Sequence, residues 1–364
     1  MDVVSGAAEG GVPEPQRIQF AGRGSEYFGI WIVNVLLSVV TFGIWTAWAK
    51  VRRVQYFNGR TLVLGDPLEY HATGWMIFKG RFLAFLVLIA FSILSNVLGT
   101  VHPAAPAIPT LTLFALYPWV INRSLRFSAR MTSWRNVRFN WQGTYWGVTK
   151  IYFVWPLLGL LTLGACFPLA ARALRHYVAN NYLFGTTRFS ARTPIGPYYV
   201  AFGWSLLFFL SVAVGAAGLL LLFSIASGAN SSMDETGFII GIVQGAGVLL
   251  GILSVILLML SGLVFTALTR NIIISALRLG GAATFESDLK PLRFVWIAFS
   301  NLIISVATFF LLLPWAQVRA FRYQAEHVTV APKVPVSTFV DRETQQIAAF
   351  GEEFAELEGL DVTI

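Results

Sequence analysis

The sequence predicts an all-α polytopic membrane protein in which broken apolar segments alternate with transmembrane hairpins, with a small cytoplasmic β element beside them. Three observations predict it. First, 56% of the 364 residues are hydrophobic and 12% charged, with a mean hydropathy of +0.67, far from the balance of a soluble globular chain. Second, Phe82–Asn122, Thr193–Met233 and Gly237–Thr269 contain no Asp, Glu, Lys or Arg, and each exceeds the ~20 apolar residues that cross a bilayer core. Third, one motif recurs along the chain.

The recurrence sets the organisation. Asn34–Tyr56 aligns without gaps on Asn301–Tyr323 and keeps Asn34/Asn301, Ser38/Ser305, Thr41/Thr308, Phe42/Phe309, Trp48/Trp315, Arg52/Arg319 and Tyr56/Tyr323. A weaker copy follows Thr162-Leu163-Gly164, and basic segments without the broken half surround Arg123 and Arg270. Each of the five basic segments precedes a short β-like run: Leu68–His71, Asn136–Asn140, Thr186–Ser190, Ala283–Glu286 and Val328–Val330. A sixth such run, Arg17–Phe20, opens the chain.

Taken in order, residues 1–16 are polar, lack the apolar region of a cleavable leader, and are expected to be disordered. Residues 17–331 form the membrane domain, read as A-B-A-B-A. The A units (17–80, 139–192, 291–331) each hold one apolar segment, residues 28–48, 152–169 and 294–315, broken at Thr-Phe-Gly, Thr-Leu-Gly or Thr-Phe-Phe. The B units (81–138, 193–290) hold apolar hairpins, giving four spans. Residues 332–364 form an acidic tail with Ile347, Phe350, Phe354 and Leu357 at helical spacing, expected to dock on the basic face of the protein.

Charge bears on topology. Lys50–Arg81 carries six basic and two acidic residues and Arg123–Lys150 six basic and none, whereas the hairpin loop Val101–Pro109 has no charge. Seven plain spans would put neighbouring basic stretches on opposite sides; re-entrant A segments keep them together, with both termini cytoplasmic. A run of 21 residues could also cross, rising ~31 Å as a helix, so both readings stand.

Chemistry is sparse. His71, His102, His176 and His327 are scattered without metal-ligand spacing, no Asp or Glu lies inside an apolar segment, and Cys166 is the single cysteine. The expectation is therefore no catalytic residue, no metal, no cofactor and no enzyme. The net charge of +8 reads as basic loops facing an anionic leaflet, not as a nucleic-acid surface. Arg52, Arg123, Arg172, Arg270 and Arg319 are the candidates for headgroups or salt bridges. Asn34, Ser38 and Thr41, with Asn301, Ser305 and Thr308, share a helical face and form a candidate polar intramembrane site, interhelical bonding being the competing use. Trp45, Trp48, Trp119 and Trp315 read as interfacial anchors. Gly237, Gly241 and Gly245, with Gly247 and Gly251, read as a close-packing face.

Two functions fit: a membrane organiser or sensor that binds anionic lipid or a protein partner through a basic cytoplasmic layer, and a transporter or channel for a small polar solute lined by the A segments. Oligomeric state is open.

The stretches "FAGRGSEYFGIWIVN", "TFGIWTAWAKVRRVQYFNG", "TLGACFPLAARALRHYVANNYLFGTTRF", "LLPWAQVRAFRYQAEHV" and "GEEFAELEGLDV" resemble the YjgN-like family of bacterial inner-membrane proteins, a domain of unknown function. The resemblance covers nearly all of the chain except Met1–Glu14. It implies a multi-pass protein of the bacterial cytoplasmic membrane and brings no reaction, ligand or functional residue. Trp155 and Gly159 depart from the Asn and Ser of the outer A units, and Pro156 adds a kink.

Overall fold

The computed structural model describes residues 12–228 and 235–360. Strands β1 (Gln16–Arg17) and β2 (Gln19–Phe20) open the chain, and five copies of one unit follow. In each, a helix leaves the sheet, a second returns to it, and a β-hairpin leads to the next unit. The first unit is α1 (Gly24–Val40), α2 (Thr46–Gly59), β3 (Thr61–Val63) and β4 (Asp66–Tyr70). The second is α3 (Gly74–Val101), α4 (Ala107–Arg130), β5 (Thr132–Trp134) and β6 (Val137–Trp141). In the third, α5 (Tyr145–Thr149), a π-helical turn (Lys150–Val154) and α6 (Trp155–Leu161) make one rising helix, followed by α7 (Phe167–Asn181), β7 (Tyr182–Phe184) and β8 (Thr187–Ala191). The fourth is α8 (Gly196–Gly228), α9 (Glu235–Ser275), β9 (Leu277–Leu279) and β10 (Ala283–Ser287). The fifth is α10 (Pro291–Ala307), α11 (Leu313–Glu326) and β11 (Val328–Pro332), and its second strand is supplied by the N-terminus. Helix α12 (Val336–Leu360) ends the described chain.

All strands join one antiparallel sheet in the order β1-β11-β10-β9-β8-β7-β6-β5-β4-β3-β2. The two edge strands are consecutive in sequence, with only Ile18 between them, and the Ile18 amide donates to Val328 O at 2.9 Å. β1 pairs with β11 and β2 with β3, so this one stretch nearly closes the sheet into a barrel. Little free edge remains. The register advances by two residues per unit: Trp134 faces Val137 within one hairpin, and Phe139, two residues on, faces Phe184 of the next. That stagger gives barrel strands their tilt.

The bore is filled. Mid-strand Ile18, Leu68, Phe139, Phe189 and Phe285 occupy equivalent places in the five units and pack with Val63, Trp134, Phe184, Leu279 and Val330, the third residues of the preceding strands. The helices form a second ring, in which each return helix packs on the rising helix of the next unit: α2 on α3, α4 on α5, α7 on α8, α9 on α10, and α11 back on α1.

The expected fold class and number of spans are corrected. The protein is not all-α: every unit contributes to an eleven-stranded, barrel-like sheet, which is not a small element. Strands of three to five residues carry little apolar periodicity, and their partners lie in other units, so the sheet is hard to see in the sequence. Five copies of one helix-helix-hairpin unit underlie the A-B-A-B-A alternation, with A and B differing in helix length. Among the described residues three helical stretches, not four, are long and apolar enough to cross a membrane: Gly74–Val101, Gly196–Gly215 and Ser254–Ser275. Helix α4 falls short because Arg123, Arg126 and Arg130 occupy its last turns. Residues 1–11 and the surroundings of Gly237, Gly241, Gly245, Gly247, Gly251, Phe350, Phe354 and Leu357 lie outside what the structure describes.

Candidate functional site

The breaks in the A segments are tight reversals. Residues Phe42 and Gly43 have φ of 49° and 88°, Leu163 and Gly164 50° and 91°, and Phe309 and Phe310 49° and 65°. Glycine adopts this left-handed backbone without steric cost, and Phe310 does not have that freedom. In each reversal an amide reaches back five residues: Gly43 to Ser38 O, Gly164 to Gly159 O and Phe310 to Ser305 O, at 2.6–2.7 Å. The threonine completes the turn. Its hydroxyl donates one turn back (Thr41 to Leu37 O, Thr162 to Leu158 O, Thr308 to Ile304 O) and accepts the amide of Trp45, Cys166 or Leu312. The tip residues Phe42, Leu163 and Phe309 are 97%, 98% and 89% exposed. Three large apolar side chains thus project fully from equivalent turns.

The candidate polar face is largely occupied by these structural bonds. Asn34 Oδ1 accepts from Trp45 Nε1 at 3.1 Å and the Ser38 hydroxyl donates to Asn34 O. Asn301 donates to Ala316 O and accepts from Arg319. Ser305 is buried. Both asparagines therefore tie a rising helix to its own return helix.

The five arginines do not share one role, and among the described residues none makes a salt bridge. Arg52 lies over the Trp45 ring and Arg123 over Trp119, at 5.2 and 5.6 Å, cation–π contacts worth about 0.5–1 kcal/mol where exposed. Arg172 Nε donates to Thr193 O at 2.9 Å, and His176, one turn on, meets the Thr193 hydroxyl at 2.5 Å. Burial, then the Arg172 charge, pushes the His176 pKa below its ordinary value. Arg270 binds Ser287 and Gln324 O; Arg319 binds Ser300 and Asn301. Two of the proposed anchors are also packing elements: Trp48 lies against Gly74 and Trp315 against Gly24, where an added Cβ would come within 2.2 and 2.3 Å of the indole. These glycines let successive units close on each other.

Two cavities gather cations. The first, of about 470 Å³, lies among α1, α2, α3 and α11. Lys50, Arg53 and Arg81 line it with Asn34, Ser38 and Gln317, and no carboxylate does. Arg81 is steadied by the Thr46 hydroxyl at 2.8 Å. Trp31, Val35 and Val39 continue its wall as apolar surface. The second, of about 640 Å³, lies at the seam of the fifth and first units, with Arg293, Arg319, Arg322, Trp296 and Trp315 around it. Its one carboxylate, Glu326, pairs with Arg322 at 3.9 Å. The convergence of Lys50 and Arg53 with Arg81 was missed in the sequence. The i, i+3 spacing of Lys50 and Arg53 was visible, but the approach of Arg81 from the next unit was not.

A serine-histidine-glutamate cluster does not form a relay. Ser133 Oγ and Glu69 Oε2 approach the same nitrogen, His71 Nε2, at 2.7 and 3.5 Å, and Ser133 is fully buried. A relay places the carboxylate on the opposite ring nitrogen. The cluster ties β4 to β5, where Glu69 and Ser133 are ladder partners.

Compared with known proteins, residues 15–357 match the family model described as bacterial protein of unknown function, DUF898. The inner membrane protein YjgN of Escherichia coli O157:H7 is 32% identical over 155 residues, 43% of this chain and 38% of that protein. Its namesake in Salmonella typhimurium LT2 is 30% identical over 145 residues, 40% of this chain and 36% of that protein. Each match therefore spans under two fifths of the relative's length. No solved structure matches the chain.

Proposed function

The chain belongs to the DUF898 family of bacterial proteins of unknown function, and from that premise we propose a non-enzymatic, multi-pass protein of the cytoplasmic membrane that holds anionic lipid in a basic cavity among its helices. In this reading the barrel and both termini are cytoplasmic. The second and fourth hairpins cross the bilayer, and the other three turn back inside the near leaflet. Several features support it. The relatives carry the name inner membrane protein. The cations Lys79, Arg81, Arg123 and Arg126 lie toward the barrel ends of their helices, while the α3–α4 loop has no charge. The exposed tips Phe42, Leu163 and Phe309 suit hydrocarbon and would be costly in water.

The observation that carries the lipid assignment is the first cavity. Lys50, Arg53 and Arg81 converge there without a carboxylate, beside an apolar wall of Trp31, Val35 and Val39. A phosphate headgroup neutralises the cations while its acyl chains cover the wall. Attraction of about 1 kcal/mol per cation is expected at an anionic leaflet. The filled bore gives no support to a solute path along the barrel axis.

Native mass spectrometry of the full chain with phosphatidylglycerol and phosphatidylethanolamine tests the proposal. The K50Q/R53Q/R81Q variant should lose at least tenfold in preference for phosphatidylglycerol, with its thermal unfolding unchanged. A folded variant that keeps the preference contradicts the assignment.

A further inference from the structure

Five helical hairpins rise from one side of the barrel, but they do not rise equally. Helices α1 and α10 have 17 residues and α2 and α11 have 14, whereas α3 has 28, α4 24, α8 33 and α9 41. At 1.5 Å per residue a 17-residue helix rises ~26 Å and a 28-residue one ~42 Å. The short hairpins begin at the barrel, below the level of the basic residues, so only part of their height is left for the membrane. In the first unit the return helix carries Lys50 and Arg53 within two turns of its tip. Their tips end in Phe42, Leu163 and Phe309, almost fully exposed.

On the insertion depth proposed above, ten helices enter the near leaflet and four continue into the far one, α4 among them only because α3 crosses and the chain must return. Each helix with its side chains is about 10–12 Å across, so six more helices in one leaflet occupy roughly 500–700 Å² that the other does not lose. The asymmetry is also lateral. Because α11 packs on α1, the short fifth and first hairpins are neighbours, and four half-depth helices stand side by side. A hydrophobic stretch shorter than the local hydrocarbon thickness is accommodated by thinning the bilayer.

We propose that the protein is a leaflet-selective wedge: it expands the cytoplasmic leaflet, thins the bilayer along the arc formed by the fifth and first units, and concentrates where that leaflet is convex. The partner is the lipid surface itself, selected by curvature rather than by headgroup. The cluster of cations determines which lipid is held; the hairpin lengths determine which shape of membrane is preferred.

The test uses the full chain, fluorescently labelled and reconstituted into phosphatidylethanolamine–phosphatidylglycerol vesicles of graded diameter. Populations with the barrel outward and inward are separated by capture on a C-terminal tag. Barrel-outward protein should be at least twofold denser per membrane area on small vesicles than on large ones, and barrel-inward protein should show the reverse bias. The K50Q/R53Q/R81Q variant should sort like the parent, because it keeps every hairpin. Equal density at all diameters, or the same bias in both orientations, overturns the wedge. Depth-dependent quenching of probes at L163C and F309C, in a C166A background, is read in the same vesicles. Tips buried in the near leaflet with no sorting defeat the wedge alone, whereas tips exposed on the far side defeat the insertion on which it rests.

Discussion

At the scale of single residues, the packing between units depends on small side chains meeting large ones. Gly74 receives the Trp48 indole so closely that an added methyl would stand 2.2 Å from Cδ1, whereas nothing lies within 4 Å of the same addition at Gly80. Both glycines are in α3. The G74A variant should therefore lose about 1–3 kcal/mol through overpacking, while G80A should be neutral or gain up to about 1 kcal/mol from helix propensity. Thermal unfolding in detergent distinguishes them, and equal effects would contradict the Trp–Gly contact. His176 gives a pH signature. Its pKa is held below the ordinary 6.5 by burial and the nearby Arg172, so the fold favours the neutral ring while the unfolded chain takes up a proton near 6.5. The stability it contributes is complete above that pH and declines as pH falls below it. H176Q should flatten this part of the stability–pH profile, and an unchanged slope would place the titration elsewhere. In the sequence His176 is only one of four scattered histidines; its bond to Thr193, 17 positions away, depends on where the linker before α8 folds.

At the scale of elements, the three broken segments show how far local sequence reaches. Thr41, Thr162 and Thr308 mark the reversals, and the structure puts a turn at each. Local chemistry is sufficient there, because the threonine bonds and the left-handed backbone involve only residues within five positions. The acidic tail shows the opposite case. Helix α12 seats Phe339 on Phe184 at the end of the bore and buries Glu343 completely. That carboxylate accepts from the amides and hydroxyls of both Thr186 and Thr187, while Gly185 leaves it room. Its acidic composition suggested docking on a basic surface, yet the seat consists of neutral donors on one hairpin turn. E343A should leave those buried donors unmet, cost about 1–3 kcal/mol, and expose residues 336–348 to limited proteolysis. If proteolysis of that segment is no faster in E343A, the seat does not hold the helix.

At the scale of the whole molecule, the organising feature is closure. A single N-terminal stretch, Gln16–Phe20, completes the fifth hairpin and the sheet together, and α11 against α1 completes the helical ring. Five basic segments with five β-like runs were readable as a repeat, and the sixth run, Arg17–Phe20, is the strand that the fifth unit lacks. What hid the five-fold order was the difference in hairpin length, which makes identical units look like two kinds. What hid the barrel was strand length: a run such as Leu277–Leu279 becomes a strand only through partners 86 or more residues away in β8 and through its own hairpin. Of the candidate site residues, Asn34, Ser38 and Arg319 line cavities. The cations that give the first cavity its charge had no single motif to reveal them.

The central claim is that every hairpin leaves from and returns to one side of the membrane, with three turning inside it. Labelling of single cysteines in a C166A background by a membrane-impermeant maleimide, in intact spheroplasts, tests this most directly. The account predicts that A104C, in the α3–α4 turn, is labelled from outside. It predicts that R278C in the barrel is labelled only after permeabilisation, and that L163C and F309C are not labelled from outside. Labelling of L163C or F309C in intact spheroplasts, or of R278C without permeabilisation, would contradict it.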